Sequence, residues 1–168
     1  MVLRGGVHEI FPVLILAALG VAFAFVALDY MTSAWGNVKP RSTEFLHAGV
    51  DSFYVRCGDG SGRLVLQLFN RGMHDIRLYR FELVGYGWWV PSGYRLLGYR
   101  PDPGVVCGLE LVEAGSGGVV LRHGFEGWLV LYVPPGVAGR VGPGASFVKV
   151  KLYSSMGVLF IAYVRVVG

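Results

Sequence analysis

The chain has 168 residues, a formal net charge of +4, 54% hydrophobic and 15% charged residues, and 26 glycines. Disordered chains combine low hydrophobicity with high net charge, so disorder is excluded, and the apolar content exceeds that of an ordinary soluble domain. Such a length supports one compact domain of ordinary size beside an apolar segment.

The apolar excess lies at the front. Residues 10–28 carry no charge and are bounded by Glu9 and Asp29. Nineteen residues as a helix, at about 1.5 Å each, rise about 28 Å, close to the hydrocarbon thickness of a bilayer. The predicted element is a retained membrane helix. The alternative is a secretory signal peptide, whose apolar core is shorter and ends in a small-residue cleavage site. Tyr30 and Trp35 stand where interfacial aromatics anchor a span, and Arg4 ahead of it with Asp29 behind it puts the N-terminus in the cytoplasm.

Beyond the helix, GNVKPR (36–41) breaks the pattern as a hinge, and the period then changes to alternating. Strands are predicted at 52–56, 64–69, 76–83, 94–99, 109–112, 119–121, 128–133, 147–153 and 158–167, separated by Gly/Pro/Asp clusters. Val148, Val150 and Leu152 alternate with Lys149 and Lys151, which gives one buried and one solvated face. The expected fold is an N-terminal long apolar α-helix followed by an all-β immunoglobulin-like sandwich of antiparallel strands. Its expected divisions are a leader or cytoplasmic N-terminus (1–6), the apolar helix (7–35), a hinge (36–50) and an extracellular β-sandwich (51–168).

Cys57 and Cys107 are the only cysteines, without a CxxC pair or a histidine at ligand spacing, so a metal site is not expected. In an exported domain an even pair reads as a disulfide, worth about 4 kcal/mol; two buried free thiols are the alternative. Catalysis finds little support: His47, His74 and His123 are scattered, no serine sits in a G-x-S-x-G elbow, and no acidic pair is set up for acid/base work. No enzyme activity and no cofactor are expected. Gly58-Asp59-Gly60-Ser61-Gly62-Arg63 lacks the lysine and following helix of a phosphate cradle and reads as a β-turn.

Tyr86, Trp88 and Trp89, with Tyr94 and Tyr99 nearby, form the candidate contact surface. Adjacent tryptophans in a strand face opposite sides, so at least one lies outside the core. One reading is a surface for a neighbouring subunit, an envelope layer or a sugar; the other is one ring in the core and one over a sheet edge. Nucleic acid is not expected, because the arginines are spread singly rather than gathered into a stripe. Two Asn and one Gln against twelve Arg carry a weak thermophile signature.

The N-terminus resembles the archaeal type IV pilin and archaellin superfamily. The resemblance rests on Arg4-Gly5-Gly6, followed by VHEIFPVLILAA (7–18) with Pro12 at the expected helix-start position. LQLFNRG (66–72) before Ile76-Arg77-Leu78 is similar to that superfamily's strand–Asn-x-Gly–strand hairpin, and 149–166 with its Ser-Ser-Met-Gly turn is similar to its C-terminal hairpin. The resemblance implies leader removal near Arg4, Gly5 and Gly6, a helix held in the membrane before assembly, and a filament core of packed helices. Glu9 then neutralises a neighbour's amino group, and Ala17, Ala18, Gly20, Ala22, Ala24 and Ala27 allow close helix approach. The expected function is a structural subunit of a surface filament for adhesion, motility or DNA uptake, a helical homopolymer of itself. The alternatives are an uncleaved membrane-anchored accessory protein contacting the envelope layer and a module binding surface glycans.

Overall fold

The computed structural model describes residues 6–37, 44–116 and 118–167, and within the N-terminal helix it describes side chains over residues 12–28. Contacts divide the chain into a helical unit, Met1–Arg41, and a β unit, Ser42–Gly168.

Helix α1 is Gly6–Asn37. Over residues 12–28 the described side chains are all exposed, and they are apolar on every side of the helix. Among the described residues no helix is long and apolar enough to cross a membrane. That corrects the expected long membrane-spanning helix over 7–35. The described apolar run is seventeen residues, about 26 Å of rise against a hydrocarbon core of about 30 Å. Pro12 is also not at the helix start: it lies inside α1, beyond the first turn, where its missing N–H removes an intrahelical hydrogen bond. Gly36 and Asn37 of the expected hinge are still helical, and residues 38–43 lie outside the described ones.

The β unit contains eleven strands among the described residues, all joined in one hydrogen-bonded sheet. They are β1 (Leu46–Ala48), β2 (Phe53–Arg56), β3 (Gly62–Asn70), β4 (Ile76–Leu83), β5 (Gly87–Trp89), β6 (Gly93–Leu97), β7 (Val112–Glu113), β8 (Val119–Leu121), β9 (Glu126–Val133), β10 (Phe147–Ser154) and β11 (Leu159–Val167). The order is β5-β4-β10-β11-β2-β3-β9-β6-β7, with β1 on β3 and β8 on β4. Strand β1 falls inside the expected hinge. Of the expected strand at 109–112 only Val112 is in a strand, as the first residue of β7; residues 109–111 follow a single turn (Val106–Gly108) and have no regular structure. An all-antiparallel description fails at one place: β11 pairs parallel with β2, Arg165 opposite Phe53.

The sheet closes over itself. Leu64, Leu66 and Leu68 of β3 share one core with Leu78, Phe81 and Leu83 of β4 and Val148, Val150 and Leu152 of β10. Helix α2 (Pro135–Ala138) spans the seam: the Ala138 carbonyl accepts a 3.5 Å bond from the Tyr54 hydroxyl, and Val137 lies against Gly87 of β5. Asn70 locks the ends of both halves. Its side-chain amide donates to the carbonyls of His74, Leu121 and Arg122, each at 3.0 Å, and its oxygen accepts from the Gly72 amide at 3.1 Å. Buried Glu44, at the start of the unit, accepts from the Ser154 hydroxyl at the end of β10.

Candidate functional site

The two outer faces of the β unit differ. Residues of β2, β3 and β9 alternate: Tyr54, Leu64 and Leu129 enter the main core, while Phe53, Val65, Trp128 and Val130 point the other way. That second row is not left bare. The segment 98–111 crosses it as a strap, with Val106, Leu109 and Leu111 packed on the row. Cys57, just after β2, bonds to Cys107 in the strap. The disulfide is therefore formed, and the free-thiol alternative is set aside. Arg63 sits beneath the strap, 9% exposed, stacked 5.2 Å from the Tyr132 ring, with Nη2 donating to the Cys107 carbonyl at 3.4 Å.

The outer face of β5, β4, β10 and β11 has no such strap among the described residues. Alternation along β10 sends Val148, Val150 and Leu152 inward and Phe147, Lys149, Lys151 and Tyr153 outward. Opposite them on β11 stand Arg165, Tyr163, Ile161 and Leu159, all exposed. On β4 the pairing shifts by one residue between Tyr153 and Ser154. The extra residue puts Tyr79 and Arg80 outward together between the buried Leu78 and Phe81, as a β-bulge does.

At the centre is a compact network. The Arg80 guanidinium lies 4.4 Å from the Trp88 ring centroid and 5.2 Å from that of Tyr153. The Tyr153 hydroxyl donates to Glu82 at 2.6 Å, and Lys151 Nζ is 3.5 Å from the same carboxylate. The Tyr153 bond, with Lys151 beside it, holds the Glu82 carboxyl below its usual range. The same bond, with desolvation, holds the Tyr153 phenol above its usual range. Arg80 Nε is buried without a hydrogen-bond partner. Lys149 lies 6.0 Å from the Tyr163 ring.

The aromatic candidates separate. Trp88 is 58% exposed on this face, while Trp89 is 5% exposed in the core, tilted against Phe81 at 5.8 Å. Tyr86 and Tyr94 are half-buried against the core. Tyr99 is exposed after β6, toward the other end of the strand order from β5. Tyr86, Trp88, Trp89, Tyr94 and Tyr99 are therefore not one surface, and only Trp88 belongs to the bare face. Reading the sequence missed Arg80, Glu82, Tyr153 and Tyr163; the alternation around Lys149 and Lys151 was the available signal.

Arg4 and Gly5 lie outside the described residues, Gly6 begins α1, and the Glu9 side chain is outside the described ones. Ala17, Ala18, Gly20, Ala22, Ala24 and Ala27 are exposed along α1, and a Cβ at Gly20 would meet nothing within 4 Å. In the Gly58–Gly62 loop the Asp59 carboxylate accepts from the Ser61 amide (2.9 Å) and hydroxyl (2.6 Å). The loop's own carboxylate thus occupies an amide that an anion would need. Among the described residues no group of three or more His, Cys, Asp or Glu could hold a metal ion. No known family matches the sequence, and no curated protein is detectably similar to it.

Proposed function

We propose that this chain is a structural subunit of a surface filament of the archaeal type IV pilus or archaellum kind, assembled by packing α1 among copies of itself. The observation that carries the reading is α1, whose described side chains are apolar on every side and all exposed. An apolar surface of that kind requires cover, and a bundle of identical helices supplies it. Four alanines and one glycine in the window 17–24 keep the helix narrow enough for close approach. The disulfide supports export, because such bonds persist in oxidising compartments. On this reading the β unit, with its own core, is the exported domain.

The test is negative-stain microscopy, with immunogold labelling of the β unit, on material sheared from cells producing the chain. Labelled filaments are expected, and Leu16→Arg abolishes them while the exported β unit keeps its disulfide. Single copies retained in the envelope refute filament assembly and transfer the chain to the accessory-protein alternative. Mass analysis of the N-terminus on the same material reports whether residues before Val7 are removed.

A further inference from the structure

Five of the singly spread basic residues gather in space. Arg77 and Arg80 come from β4, Lys149 and Lys151 from β10, and Arg165 from β11, and all five lie on the bare outer face. Glu82 is the one carboxylate among them, already engaged by Tyr153 and Lys151. The excess on this face equals the +4 net charge of the whole chain, so the rest of the molecule is neutral on balance.

The cations are interleaved with exposed rings and not set apart from them. Trp88, Tyr163 and Phe147 are 58%, 66% and 66% exposed. Along β10 and β11 the register places Phe147 beside Arg165, then Lys149 beside Tyr163, then Lys151 beside Ile161. Past Arg165 the track runs into an open cavity of about 320 Å³, where Arg165 and Phe147 are joined by Arg100 and by one carboxylate, Asp51. Eight residues of β10, at about 3.4 Å each, make the track about 27 Å long, which is a path for a chain and not for a single small ion.

We infer that this face binds an acidic polysaccharide, with Trp88 and Tyr163 as ring platforms and Lys149, Arg165 and Arg80 as partners for its carboxylates. Charge complementarity requires a polyanion. Two observations favour a sugar polymer over a nucleic acid strand. Glu82 lies in the middle of the face, where it accepts hydrogen bonds from the free hydroxyls that every sugar unit carries and a DNA strand lacks. The Cys57–Cys107 bond is of the kind that persists in oxidising compartments, where surface polysaccharides are found. The inference is independent of helix assembly: a chain that never polymerises still carries this face.

Affinity electrophoresis of the full chain in a non-ionic detergent, through gels containing polygalacturonate, dextran or a 30-nucleotide oligothymidine, tests it. Polygalacturonate retards the protein, and retardation weakens as salt is raised. Trp88→Ala and Lys149→Glu each reduce retention at least about tenfold, while Arg56→Glu, an exposed charge reversal on β2, costs less than threefold. Near-ultraviolet circular dichroism confirms that each variant stays folded. Absence of retention at low salt, equal retention by neutral dextran, or no effect of the two face variants overturns the inference. Tighter retention by oligothymidine than by polygalacturonate also overturns it and reassigns the face to single-stranded nucleic acid.

Discussion

Replacing Cys57 and Cys107 together by alanine tests how the strap is held. The bond closes a loop of sequence separation 50. In the chain-entropy treatment such a closure restricts the unfolded chain by about 14 cal/mol/K, or about 4 kcal/mol at 25 °C. For a domain the size of residues 42–168 that corresponds to a fall in Tm of roughly 15 °C, at about 4 °C per kcal/mol. Equilibrium guanidinium unfolding followed by tryptophan fluorescence measures it, and the oxidised and cysteine-free proteins are expected to differ by that amount. A loss below about 1 kcal/mol refutes the loop-entropy reasoning.

A second arm separates a tethered strap from a packed one. Val106 is fully buried under the disulfide against β2 and β3. Val106→Ala removes two buried methyl groups and costs roughly 1–3 kcal/mol when the strap is in place. If the strap stays docked without its bond, the valine costs about the same in both backgrounds, because its packing against β2 and β3 is unchanged. If the cost vanishes in the cysteine-free protein, the strap has detached and the bond acts on the folded state.

Asn70→Ala leaves three carbonyls and one amide without their partner at a site 1% exposed, and is expected to lower unfolding free energy by about 2–4 kcal/mol in chemical denaturation. At Gly118, with φ +73°, a Cβ would lie 2.3 Å from the Leu78 carbonyl oxygen, whereas at Gly124, φ +72°, nothing is within 4 Å. Gly118→Ala should therefore weaken the β4–β8 pairing and cost at least about 2 kcal/mol more than Gly124→Ala, whose cost is backbone strain alone, by thermal unfolding. Tyr153 should titrate above the ordinary phenol value of about 10 and return toward it in Glu82→Gln, as read by carbon NMR of its Cζ. Because the Glu82 carboxyl is depressed on folding, its contribution to stability is present above about pH 4.5 and is lost as pH falls through the depressed value. The acid limb of a stability profile should flatten in Glu82→Gln.

Alternation was legible where one strand decides it. Lys149 and Lys151 could be set outward and Val148, Val150 and Leu152 inward from five residues, because pleating sends neighbours to opposite faces. The same rule required one of Trp88 and Trp89 to leave the core but not which. That choice follows from the tight turn before β5, which pairs Trp89 with Phe81 and Trp88 with Glu82. The bulge was not legible: a strict period of two cannot put Tyr79 and Arg80 outward together, and the extra residue exists only relative to β10. Strand β1 is three residues, too short to show a period. The N-terminal apolar run was legible as a helix, but its extent and the place of Pro12 in it were not, since proline reads as a start signal wherever the helix actually begins.

The two outer faces make the bare one informative. Beneath the strap, Phe53, Val65, Trp128 and Val130 show that this sheet can carry a second apolar row and cover it with its own chain. On the opposite face the rings are left uncovered but not left loose. Arg80 is stacked between Trp88 and Tyr153, and Tyr153 is tied through Glu82 to Lys151. An exposed tryptophan held on one side by a guanidinium has already lost much of the rotamer freedom that a ligand would otherwise have to remove. Arg80→Lys separates this role from charge. It keeps a cation beside Trp88 but loses the planar stack, so the off-rate of a bound polysaccharide should rise several-fold over that of the unsubstituted protein. An unchanged off-rate would mean that Arg80 contributes charge alone, and that the platform is not ordered in advance.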